Sequence, residues 1–145
     1  CIDRLSEPFD ERFHHAGDAD LFLRIAFEWE AAYVDEPLAK WRMHPESWTW
    51  KTPEIFGREW KMILAKYHDL FADFDSRYCT EIQKVKAIAA YYEALGAWKE
   101  GHRVDVRRII RPHIPVKPKL LAAYILSLFP YRYYVTLLRL MGKHA

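Results

Sequence analysis

The hydrophobic pattern divides the chain into an irregular opening, one clear helix, a short extended-looking stretch and a long helical remainder. Residues 1–16 (CIDRLSEPFDERFHHA) show no period and read as loop. Periodicity then begins abruptly. Leu21, Phe22, Ile25 and Trp29 fall at the i, i+3, i+4 spacing of one helical face, and the acids Asp18 and Asp20 stand at its start. Next comes AAYVDEPLAKWRMHPES, which predicts two short strands, Ala32–Val34 and Leu38–Trp41, around an Asp35-Glu36-Pro37 turn.

From Pro53 the period is helical throughout. Pro53 followed by Glu54 opens a helix to about Phe71. A second runs from about Tyr78 to Lys99 and stops near Gly101, with Ala90, Tyr91, Leu95 and Trp98 on one face. A third covers about Arg103 to Arg111, before Pro112, Pro115 and Pro118. Lys119 to Met141 reads as two helices divided by Pro130. The expected fold is mainly α with a small α/β part, divided near Lys51-Thr52-Pro53 into residues 1–50 and a helical extension, 51–145. The phrase YYEALGAWKEGHRVDVRRII has the look of one helix-turn-helix repeat, but a single copy supports a helical appendage over a repeat array.

Composition adds three constraints. A hydrophobic fraction of 51% with 16% aromatics is enough for a buried core in 145 residues. Two cysteines, Cys1 and Cys79, have no metal or disulfide spacing, so the chain reads as cytosolic, with Cys79 a small buried thiol. Charge is uneven: residues 1–75 carry 16 acids and 9 Lys/Arg, whereas residues 76–145 carry 4 and 13. That asymmetry points to carboxylate chemistry in the first half and a surface for something anionic in the second. Nucleic acid fits poorly, because the aromatics keep helical core spacing and the cations are dispersed. The first residue is Cys1 and not Met, which reads as a missing N-terminus.

Two clusters offer chemistry. Asp18-Ala19-Asp20 places carboxylates at i and i+2, which suits a divalent cation or simple capping of a helix N-terminus. Trp41-Arg42-Met43-His44, closing with Ser47, puts Arg42 and His44 on one face of a strand. Beside a diphosphate, Arg42 would supply fixed donors and His44 a donor or metal ligand. A surface Arg and a half-buried His account for the same pattern.

In order and spacing these clusters resemble the end of the catalytic domain of family 2 inverting glycosyltransferases of the A-type fold. The matching positions are Phe9-Asp10-Glu11, Gly17-Asp18, Asp20-Leu21, Arg24, Pro37-Leu38, Arg42, His44 and Ser47, over about a third of the chain. The resemblance implies that Asp18 is the catalytic base. It makes Asp20, Glu11 and Arg24 acceptor-side or supporting residues, and sets His44 and Arg42 near a metal or the diphosphate. It implies a nucleotide-sugar donor, a saccharide or lipid-linked acceptor, and Mg or Mn in the full-length enzyme. Gly17 stands where the family usually has Glu. The nucleotide-binding half and any Gly-rich phosphate loop are absent from these residues, so the chain alone is expected to be inactive and to hold no cation. The reading from another class is a non-catalytic helical scaffold whose acids only cap a helix.

The last stretch, LLAAYILSLFPYRYYVTLLRLMGK, is apolar with interspersed Arg and Tyr. Leu120–Phe129 is too short to span a bilayer, and Pro130 and Arg132 interrupt it. Its composition suits either packing against the preceding helices or a peripheral position at the inner face of a membrane.

Overall fold

The computed structural model describes residues 9–40 and 47–140, and within these it is a helical assembly. Eight α-helices are described: α1 (Gly17–Glu28), α2 (Trp48–Lys51), α3 (Pro53–Leu70), α4 (Phe74–Arg77), α5 (Cys79–Lys99), α6 (Arg103–Ile110), α7 (Leu120–Leu126) and α8 (Tyr131–Leu140). A turn of 3-10 helix at Arg111–His113 continues α6. Pro53 sits at the first position of α3, where its missing N–H has no helical acceptor to satisfy. Gly101, with φ +88°, closes α5 in the left-handed region that L side chains rarely adopt, and turns the chain into α6.

The expected strand pair does not form. Residues 31–40 are exposed without exception and belong to no strand; Trp41 lies outside the described residues. A two-stranded ribbon is marginal without a surface to pack on. Here Tyr33, Val34 and Leu38 are 86, 56 and 73% exposed, so no burial offsets the cost of ordering it. Cys79 also departs from expectation. It is exposed at the first position of α5, not buried. Cys1 lies outside the described residues.

Helix α5 is the centre of the fold. Ile82, Ala87, Ala89, Ala90, Ala94, Leu95, Gly96 and Trp98 are buried around its circumference, because α3 covers one side and α6 to α8 the other. Small residues let α3 come close. A Cβ on Gly57 would fall 2.5 Å from the Ala89 carbonyl oxygen, and one on Gly96 would fall 2.7 Å from Glu54 Cβ.

Among the described residues the core has two parts. In one, Leu95, Trp98, Val106, Ile110, Leu120, Tyr134 and Leu138 pack together. Trp98 is 1% exposed, and its indole Nε1 donates to the Phe129 carbonyl at 2.9 Å, which satisfies the polar edge of a large apolar ring. Nearby, the Tyr91 and Tyr134 hydroxyls hydrogen-bond to each other. In the other part, Phe13 and Ala16 from the opening loop meet Ile63, Tyr67, Phe74 and Ile82. Phe27 of α1 stacks on Phe71 there, with centroids 4.0 Å apart and planes 5° apart. The opening loop and α1 therefore share a core with α3, α4 and the start of α5.

Candidate functional site

The loop before α1 is held by a carboxylate from 43 to 45 residues away. Glu59 on α3 is 2% exposed. Its Oε1 accepts the backbone N–H of His14 at 2.8 Å, and its Oε2 accepts those of His15 and Ala16, each at 2.8 Å. Three successive amides thus converge on one anion. They precede a helix whose N-cap, Ala16, has no side chain able to cap it. A negative charge here also faces the positive end of the helix dipole.

A second long-range tie runs beside the first. Lys66, also on α3, reaches Asp10 Oδ2 and Asp20 Oδ2, both at 2.9 Å. Asp20 is fully buried and also accepts from Arg24 Nε at 3.0 Å, one turn along α1. Tyr67 donates its hydroxyl to the Asp20 carbonyl at 2.9 Å. Asp10 takes two hydrogen bonds from the Arg12 side chain, at 2.9 and 2.7 Å. These bonds hold its carboxyl well below the usual carboxylate range, with Lys66 adding to the effect and burial opposing it. Two buried carboxylates are thereby neutralised by one shared cation, Lys66, and by an arginine each, which is the condition for keeping such charges out of water. The loop, α1 and α3 are fastened at a single cationic nitrogen.

Asp18 stands apart from this network. It lies in the first turn of α1 with its side chain exposed, and its Oδ1 accepts the Ala19 N–H at 2.8 Å. Capping therefore accounts for part of what Asp18 does. It does not account for Asp20, which caps nothing and serves as the buried anchor. Glu11 is exposed in the turn of the opening loop. His15, half-buried, packs on Trp48 with centroids 5.2 Å apart, and its Nε2 lies 3.3 Å from Thr52 Oγ1. Arg42 and His44 fall outside the described residues. The structure thus brings together Asp10, Asp20 and Arg24, and leaves Asp18 and Glu11 on the surface beside them in sequence.

Glu59 and Lys66 are the residues that the sequence reading missed. The signal was present. Phe56, Trp60, Ile63 and Tyr67 mark the apolar stripe of α3, and Glu59 and Lys66 fall on that stripe at helical spacing. A charge on a buried face needs a partner, and both have one.

Among the described residues, no group of three or more His, Cys, Asp or Glu is placed to hold a metal ion, and the Asp10 and Asp20 carboxylates face Lys66. A cavity of about 360 Å³ lies between α1, α3 and α5, lined by Phe27, Trp60, Ile63, Tyr67, Tyr78 and Ile82 among others. Its lining is largely apolar, with Glu81 the single charged member, so it lacks the array of donors that a sugar or diphosphate needs. No helix among the described residues is long and apolar enough to cross a membrane. Compared with known proteins, the chain matches no family model, no curated protein and no solved structure.

Proposed function

We propose that this chain is the acceptor-side end of an inverting glycosyltransferase, with Asp18 as the base. The observation that carries the reading is the division of labour among the acids around α1. Asp10 and Asp20 are buried and neutralised, whereas Asp18 is presented at a helix start whose approach is clamped by Glu59. A general base must be held in place and still reach the proton that it takes. The resemblance of Phe9–Ser47 to family 2 enzymes supplies the reaction. The acceptor hydroxyl oxygen attacks the anomeric carbon, and the bond from that carbon to the nucleoside diphosphate breaks on the opposite face. The hydroxyl proton passes to Asp18, and the diphosphate leaves with the electron pair.

On this reading the anchored acids are positioning residues. Asp20 fixes the first turn of α1 through Lys66 and Arg24, and Asp10 fixes the loop through the same lysine. The donor, a nucleotide sugar, belongs to a nucleotide-binding half encoded upstream. Two features support a larger whole. Phe22 and Leu23 leave an apolar face of α1 open, at 65 and 37% exposed, and residues 31–40 present Tyr33, Val34 and Leu38 to solvent. Both suit burial against further protein.

The test is the coding sequence upstream of Cys1, followed by an assay of its product. The reading expects a βαβ nucleotide-binding region with an Asp-x-Asp motif, and release of nucleoside diphosphate from a UDP-, GDP- or dTDP-linked sugar when acceptor is supplied. An initiator Met at this point, with no such region, would sink it in favour of a helical scaffold.

A further inference from the structure

The helices α7 and α8 are apolar on two sides, and only one side is covered. Helix α7 buries Leu120 and Ala123, while Leu121 and Ile125 on its other side and Leu128 in the turn that follows it are 47, 51 and 56% exposed. Helix α8 buries Tyr134 and Leu138, while Tyr133, Leu137 and Leu140 are exposed. Phe129, 52% exposed, joins the two sets by its contact with Tyr133, with centroids 6.1 Å apart. Single exposed apolar residues are ordinary, but a run of them along two successive helices and the turn between is not.

Cations border this run. Arg103 donates through Nη1 to the Leu128 carbonyl at 3.0 Å, the Arg132 guanidinium lies 5.1 Å from the Tyr133 ring centre, and exposed Lys119 precedes α7. Residues 106–145 contain eight Lys/Arg and no Asp or Glu. The acid nearest in sequence, Asp105, is paired with Arg108 at 2.8 Å.

We propose that the outer face of α7 and α8 docks on an anionic lipid bilayer. Leu121, Ile125, Leu128 and Phe129 enter the boundary between headgroups and acyl chains, Tyr133 sits at headgroup level, and Arg103, Lys119 and Arg132 meet lipid phosphates. Charge complementarity selects this occupant. An apolar run rimmed by cations, in a forty-residue stretch without a single acid, matches a surface whose outer layer is anionic and whose interior is hydrocarbon. No helix needs to cross the bilayer for this. The proposal is independent of sugar transfer and would place any activity of the chain at a membrane surface.

Co-sedimentation of the chain with vesicles tests it. Vesicles of equal parts phosphatidylcholine and phosphatidylglycerol should pellet the protein at low salt, and pure phosphatidylcholine should not. Arg132→Gln should weaken partitioning about fivefold, as expected for one cation near an anionic surface. The double variant Ile125→Ser, Leu128→Ser should weaken it about tenfold or more. Both sites are half exposed, and unchanged circular dichroism would show that the fold is intact. Three results would overturn the proposal: no binding to the anionic vesicles, binding indifferent to salt and to both variants, or a self-associated chain that fails to bind vesicles and becomes monomeric in the double variant.

Discussion

Replacing Glu59 by Gln isolates the clamp on the opening loop, because the side chain keeps its size and loses its charge. In the native chain two oxygens serve three amides: Oε1 takes His14, and Oε2 takes both His15 and Ala16. A Gln amide can keep only one oxygen. In its better orientation it retains His15 and Ala16, and points its NH₂ at the His14 N–H. One buried donor then faces another donor, and the two remaining bonds lose their charge assistance. A stranded buried donor costs about 1–3 kcal/mol, and weakening the remaining pair adds to this, for a total of about 2–3 kcal/mol. For a chain of this length that is a fall in Tm of about 6–10 °C. Urea denaturation followed by circular dichroism measures the loss, and amide exchange locates it. The His14, His15 and Ala16 amides should exchange much faster in the variant, with the sites in α5 slowed or sped only as far as global stability dictates. Glu59→Ala should cost more, about 4 kcal/mol, since all three amides lose their acceptor. A Glu59→Gln protein within about 0.5 kcal/mol of wild type would refute the clamp.

Lys66→Met should cost about 3–5 kcal/mol by the same urea assay, because it removes the cation shared by two carboxylates, one of them fully buried. Gly57→Ala should destabilise by about 1–3 kcal/mol even though Ala is the better helix former, since the added Cβ meets the Ala89 carbonyl at 2.5 Å; a gain in stability would mean that α3 and α5 can move apart. In acid, the Asp10 carboxyl, held down first by Arg12 and then by Lys66, contributes stability that is complete above its ordinary value of 3.8 and is lost as pH falls below it. Arg12→Met should therefore flatten the fall in stability below that pH. In alkali, burial pushes the Tyr131 hydroxyl up to about 12, so its contribution is complete below pH 10 and is lost as pH rises toward 12; Tyr131→Phe should reduce the slope of stability against pH in that window.

Local signals made the helices legible and left the ties between them unread. Pro53, the Gly101 turn and Pro130 each act within a few residues, so the bounds of α3, α5, α6, α7 and α8 follow from the chain itself. The Asp20–Arg24 pair was equally accessible, being one helical turn apart. Short helices α2 and α4 were not foreseen, since four residues give too little period to recognise. The strand pair failed for a different reason: alternation around Pro37 specifies a strand only where something packs against it, and residues 31–40 are all exposed. Glu59 and Lys66 act over 43 to 56 residues, and no spacing rule reaches that far. Their position on an apolar stripe could have marked them as buried, but not which backbone amides or carboxylates they would meet. Of the candidate site, the placement of Asp18 at the start of α1 was readable, and the machinery that fixes it was not.

The most direct test of the proposed activity is Asp18→Asn in the longer protein that the proposal requires, one with a nucleotide-binding half. Sugar transfer is followed with the natural or a surrogate glycan acceptor, and donor affinity is measured separately by calorimetry. Asp18 is exposed and outside the Lys66 network, so the variant should fold as the wild type does. The account predicts a loss of transfer of about hundredfold or more with donor affinity nearly unchanged, as expected for removal of a general base. Transfer that survives the substitution, or a wild-type protein that releases no nucleoside diphosphate from any sugar donor, would contradict it.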